Sequence, residues 1–113
     1  MLIGSFKDCT IADEGTVSGA VDLGRPYETL LIVMPAIDES TVAVQGSETL
    51  GGTYTNLYVT NPADGTNKQV KSGATTGGLT WVAPIGGFQF IKLVAGTTQS
   101  TAAVTFRICG VRR

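Results

Sequence analysis

Polar and apolar residues alternate with a period of two along much of the chain, the pattern of strands that bury one face. From Thr16 to Leu23 the odd positions Val17, Gly19, Val21 and Leu23 oppose Thr16, Ser18, Ala20 and Asp22, and Gly24-Arg25-Pro26 then turns the chain. Glu28 to Met34 breaks the alternation. Its run Leu30-Leu31-Ile32-Val33-Met34 is apolar throughout, which predicts a central strand covered on both faces and stopped by Pro35. Thr41 to Gln45 places Val42 and Val44 on one face, and the Gly51-Gly52 pair leads into a strand from Thr53 to Val59. Asn61-Pro62-Ala63-Asp64-Gly65-Thr66-Asn67 is turn chemistry.

Beyond that turn the pattern predicts a short polar strand near Lys68 to Ser72, a strand at Leu79 to Val82, and a turn at Pro84-Ile85-Gly86-Gly87. Phe88 to Val94 changes phase midway, with Phe88 and Phe90 on one face and Ile91 and Leu93 on the other, which predicts a bulge near Phe90 or a buried second face. Thr101 to Cys109 alternates cleanly: Ala102, Val104, Phe106 and Ile108 point one way, and Ala103, Thr105, Arg107 and Cys109 the other. No window of helical periodicity competes. About eight short strands separated by glycine turns predict an all-β fold, an antiparallel β-sandwich or jelly roll, as a single domain over residues 1–113 with an extended N-terminal arm at about residues 1–8.

Composition agrees with the pattern and removes several functions. The 113 residues include 16 Thr, 11 Val and 15 Gly, which suit pleated surfaces and turns. There is no histidine, which excludes triad hydrolases and histidine-ligated zinc. Eight basic residues against nine acidic ones leave no cationic stripe for phosphates, so neither nucleic acid nor an anionic membrane is an expected partner. The longest apolar stretch, Leu30 to Ile37, is far short of the ~20 residues that cross a bilayer. The opening residues lack the basic and apolar regions of a signal peptide, so synthesis without Sec export is expected.

Candidate chemistry is sparse. The carboxylate pairs Asp13-Glu14 and Asp38-Glu39 are sequence neighbours, which face opposite ways in a strand, whereas a glycosidase needs two carboxylates facing across roughly 5 to 9 Å. No calcium-loop spacing surrounds Asp38 and Glu39. No enzyme activity, cofactor, metal or small-molecule substrate is therefore expected. Tyr54, Tyr58 and Trp81 form a candidate glycan platform, the two tyrosines sharing a strand face by even spacing; packing of Trp81 in the core with the tyrosines at its rim is the competing expectation. Cys9 and Cys109 lie 100 residues apart. A disulfide closing that loop would contribute up to ~4.7 kcal/mol, but without export both are expected as free thiols. Met1-Leu2-Ile3 and Arg112-Arg113 are candidate protein-interface residues, the first by strand addition and the second by pairing with carboxylates, unless they are simply frayed ends.

The order of several short motifs resembles a family of small β-sandwich proteins encoded among the structural genes of tailed bacteriophages. Val21-Asp22-Leu23-Gly24 precedes the central strand and Met34-Pro35-Ala36 follows it. Val44-Gln45-Gly46-Ser47 leads to Gly51-Gly52-Thr53-Tyr54, then Leu57-Tyr58, then Phe88-Gln89-Phe90-Ile91-Lys92-Leu93 and Ala95-Gly96-Thr97. The chain departs from the family at Ile37-Asp38-Glu39, where a tryptophan is common, and at Glu48-Thr49-Leu50, where an Asp-Gly is common. The resemblance implies a structural virion protein. Its leading form is a capsid decoration (cement) protein, made in the host bacterial cytoplasm, that binds the major capsid protein on the outer head surface as a homotrimer. The alternative is a tail, fibre or baseplate adaptor or a glycan-binding module of the virion.

Overall fold

The computed structural model describes residues 2–112. In chain order its strands are β1 (Leu2–Ile3), β2 (Lys7–Ile11), β3 (Gly15–Val17), β4 (Val21–Asp22), β5 (Thr29–Val33), β6 (Ala36–Ser40) and β7 (Val42–Ser47), followed by β8 (Thr55–Asn56), β9 (Tyr58–Thr60), β10 (Asn67–Gln69), β11 (Thr75–Gly77), β12 (Thr80–Pro84), β13 (Phe90–Gln99) and β14 (Val104–Arg112). The described residues contain no helix. The first sheet runs β1-β14-β5-β12, with β2 continuing β1 along the same edge of β14. The second runs β3-β13-β7-β8, with β4 continuing β3 along β13. All pairings are antiparallel. When β1/β2 and β3/β4 each count as one interrupted strand and the separate two-stranded sheets β6-β11 and β9-β10 are set aside, the two main sheets have the orders first-eighth-third-sixth and second-seventh-fourth-fifth, the two-Greek-key connectivity of a jelly roll. The expected all-β sandwich is the fold observed.

The inner faces follow the alternation. Leu30 and Ile32 on β5, Phe106 and Ile108 on β14, and Cys9 and Ile11 on β2 meet Val42 and Val44 on β7 and Ile91, Leu93 and Ala95 on β13. Tyr27 closes one end of this core. Its ring packs against Gly110, where any Cβ would collide with Tyr27 Cδ2 and Cγ, so the glycine is required by close approach. The Cα radius of gyration, 13.4 Å, is that expected of one compact domain of this length. Every buried side-chain polar atom among the described residues has a hydrogen-bond partner, including Gln99, whose amide accepts from the Asp38 N–H (2.9 Å) and donates to the Asp38 and Thr97 carbonyls.

Several expectations change at this level. The strand from Thr16 to Leu23 is interrupted, because Ser18 turns inward. Its Oγ accepts the Leu93 N–H at 2.9 Å, and this flips the phase so that Ser18 is buried while Val17 is exposed. There is no bulge at Phe90; Phe88 lies in the turn before β13 and packs back over Gly46. The central strand β5 does lie between β14 and β12, yet only its inner face is covered: Leu31 is half-buried and Val33 exposed. The expected N-terminal arm is instead part of the first sheet, with Leu2 and Ile3 paired to Arg112 and Val111.

Phe106→Ala, which empties the centre of the core, is expected to cost ~3–5 kcal/mol, and Gly110→Ala, which displaces the Tyr27 ring, ~1–3 kcal/mol. Urea unfolding of the two variants measures both.

Candidate interaction surface

Outward residues of the first sheet form rows set by strand register, beginning with Thr10 and Thr105, whose hydroxyls are 2.9 Å apart at one end. Asp8, Arg107, Val33 and Thr80 are neighbours in the second row; Cys109, Leu31 and Val82 in the next; Ile3, Val111, Thr29 and Pro84 in the last. The middle of this face is apolar. Val82 is 57% exposed, Ile3 59% and Val33 39%, with Phe6 beside them at 44%. Its charge is confined to one neutral pair: Arg107 donates to Asp8 at 2.8 Å and lies 5.7 Å from the centroid of the Phe6 ring. Both partners of that pair are more than half exposed, so it contributes little to stability.

The outer face of the second sheet is built differently. Lys92, Gln45 and Asn56 share a row; Gln45 donates its amide to Asn56 at 3.2 Å, and the Lys92 ammonium sits 4.7 Å above the Tyr54 ring. The Tyr54 hydroxyl donates to the Leu50 carbonyl, and desolvation followed by the Asp22 charge pushes its pKa up. Asp22 accepts from the Gln89 amide and the Gly24 N–H, which hold its carboxyl below the usual range. Two residues along β13 the same outer face is apolar, with Val17, Val94 and Ala43 side by side and Val17 48% exposed, so each outer face mixes polar and apolar rows.

The residues singled out in the sequence are dispersed. Tyr54 precedes β8 on the second sheet, Tyr58 is exposed on the β9–β10 hairpin, and Trp81 is half-buried on the edge strand β12. The shared face expected for the tyrosines is lost because Leu57 between them turns into the core and ends β8. The depression beside Trp81, lined by Lys71 to Thr75 and Leu79, contains neither tyrosine. Ile3 joins the apolar face, whereas Arg112 is exposed and forms no ion pair among the described residues. Met1 and Arg113 lie outside the described residues. Cys9 and Cys109 are buried free thiols on opposite faces of the sheet, Cys9 beside Phe106 and Cys109 donating to the Gly4 carbonyl at 3.1 Å; burial raises the pKa of both. The outer-face residues Val33 and Val82 were not singled out, although the unbroken apolar run through β5 signals that its outer side is made for contact.

Asp38 is a structural group. Its carboxylate accepts from the Thr101 hydroxyl (2.7 Å), the Ser100 N–H (2.8 Å) and the Thr101 N–H (3.2 Å), which tie β6 to the β13–β14 turn. Glu39 next to it is exposed and joins none of these hydrogen bonds.

The strand order and the inner-face packing define a jelly-roll β-sandwich. No family model matches the chain, and no curated protein matches it. Among solved structures it is similar to YomS, a protein derived from the SPBc2 prophage, with a TM-score of 0.56 over 97% of this chain and 95% of that one at 15% identity. At that identity the likeness is one of fold.

The Thr101 hydroxyl, ahead of the two backbone donors, holds the Asp38 carboxyl below its usual range. The stabilisation it gives is therefore complete above the unfolded carboxylate pKa of about 3.9 and lost as pH falls through the lower folded value. Asp38→Asn is expected to melt below the parent protein at pH 7, with the gap narrowing below about pH 4 and closing in stronger acid. Thermal melts across pH measure this.

Proposed function

We propose that this protein is a structural component of a tailed-bacteriophage virion, a capsid decoration (cement) protein that binds the major capsid protein on the outside of the head. It is made in the host cytoplasm, acts as a homotrimer and performs no catalysis. The observation that carries this reading is the open apolar face around β5. A strand whose sequence is written for burial on both sides has one side uncovered in the single chain, and Ile3, Val33 and Val82 extend that side. The motif order along the chain and the fold shared with a prophage-derived protein support the same assignment.

The magnitudes favour a many-copy role. Covering the half of each of these side chains that is still exposed contributes about 1 kcal/mol apiece. A few such terms fall below the cost of immobilising a free protein, which is several kcal/mol. Contact becomes durable when trimerisation and a repeating shell multiply it by avidity.

Val82→Lys on the edge strand is expected to leave monomer stability within about 0.5 kcal/mol and to abolish binding to undecorated heads, because docking would bury an unpaired ammonium. Cosedimentation measures binding and urea unfolding measures stability. Quantitative mass spectrometry of purified particles is expected to find hundreds of copies each; a handful would overturn the head-shell assignment.

A further inference from the structure

Away from the apolar face, two adjoining depressions of about 430 and 290 Å³ share Ser47, Glu48 and Phe88. They lie where the loop after β7 meets the turn before β13, at one end of the sandwich. The first is lined further by Thr53 and Thr55, and the second by Gln89. Loops at the end of a rigid sandwich are where binding groups are usually presented.

The walls of this cleft are fixed before any ligand arrives. Gly46 is the reason Phe88 lies where it does: a Cβ there would approach the ring to 2.8 Å, so only glycine lets the ring rest against β7 while it also lines both depressions. The turn that delivers Phe88 is held by the Gly87 N–H donating to the Tyr27 carbonyl at 2.8 Å, with positive φ at Gly86 and Gly87. The loop opposite is held by Ser47 Oγ donating to the Thr49 carbonyl (2.8 Å), the Gly52 N–H donating to that same carbonyl (3.1 Å) and the Tyr54 hydroxyl donating to Leu50. Gln89 is oriented by its side-chain N–H donating to the Asp22 carboxylate at 2.9 Å, which leaves its carbonyl oxygen as an acceptor. A preformed site of this kind loses little ordering entropy when it binds.

We infer that this cleft binds a neutral carbohydrate. Its chemistry combines a clamped aromatic ring, threonine hydroxyls, an amide oxygen and one carboxylate. A pyranose presents an apolar C–H face and a rim of hydroxyls, so the ring stacks on Phe88 while its hydroxyls donate to Glu48 and exchange hydrogen bonds with Thr53 and Thr55. Glu48 forms no ion pair among the described residues and is the one charged residue lining either depression. A carboxylate without a neighbouring cation repels phosphorylated or sialylated sugars, which makes the selection one for uncharged rings. The aromatic carrying the site is thus Phe88, not the tyrosines or Trp81 to which spacing pointed. The inference is independent of shell docking, since the apolar face and the cleft use different residues.

The test is a titration of the ¹⁵N-labelled full chain, followed by two-dimensional NMR, with glucose, galactose, mannose, N-acetylglucosamine, lactose and 3′-sialyllactose. Saturable shifts confined to the amides of residues 46–55 and 85–90 are expected with at least one neutral sugar and not with sialyllactose. Glu48→Gln is expected to weaken that binding about tenfold by removing a charge-assisted hydrogen bond. Phe88→Leu, which keeps apolar contact with Gly46 but has no flat ring, is expected to abolish it while the rest of the spectrum stays in place. Absence of a saturable shift with every sugar overturns the inference. So do shifts centred on Trp81 or Tyr58, sialyllactose binding as tight as lactose binding, or an affinity that neither variant changes.

Discussion

Two late strands, each paired antiparallel along both edges, hold the sandwich together. β14 lies between β1/β2 and β5 in the first sheet, and β13 lies between β3/β4 and β7 in the second. Each of these late strands joins segments made much earlier, so the hydrogen bonds that define both sheets span most of the chain. Their inner side chains, Phe106 and Ile108 on one and Ile91 and Leu93 on the other, face each other across the core. The rest of the structure hangs from this pair: Ser18 flips to serve the Leu93 N–H, and Gly110 on β14 receives the Tyr27 ring.

The same pairing separates the two outer faces. A strand period of two means that packing β14 and β5 inward with Phe106, Ile108, Leu30 and Ile32 presents Leu31, Val33 and Val111 outward together. On the second sheet a polar outward row of Lys92, Gln45 and Asn56 runs beside an apolar one of Val17, Val94 and Ala43. The rigid cleft around Phe88 is built in loops at the end of the sandwich, away from both outer faces.

Much of the fold was legible because it depends on local periodicity. The alternation of Thr101 to Cys109, the run through β5 and the turn at Asn61 to Asn67 each report near neighbours, and each appears in the structure as a strand or a hairpin tip. What the pattern missed depends on partners distant in sequence. Ser18 is buried because of a backbone group 75 residues away. Leu2 and Ile3 are tied to residues at the opposite end of the chain. Phe88 reads as part of a strand until the glycine at position 46, on another strand, provides a flat place for its ring. The candidate aromatic platform failed for the same reason: spacing locates residues along a strand, and Leu57 ends that strand between the two tyrosines.

The position of β13 and β14 also sets the order of events during synthesis. Of the strands made first, β2, β3 and β4 and one edge each of β5 and β7 find their partners only once residues 90–112 have left the ribosome. Until then β5 has only β12 beside it and both sheets are unfinished, a state that favours slow, late and cooperative closure. A prematurely terminated chain lacks the centre of both layers rather than an edge of one, so truncation yields chains that cannot fold instead of nearly native ones with a frayed end.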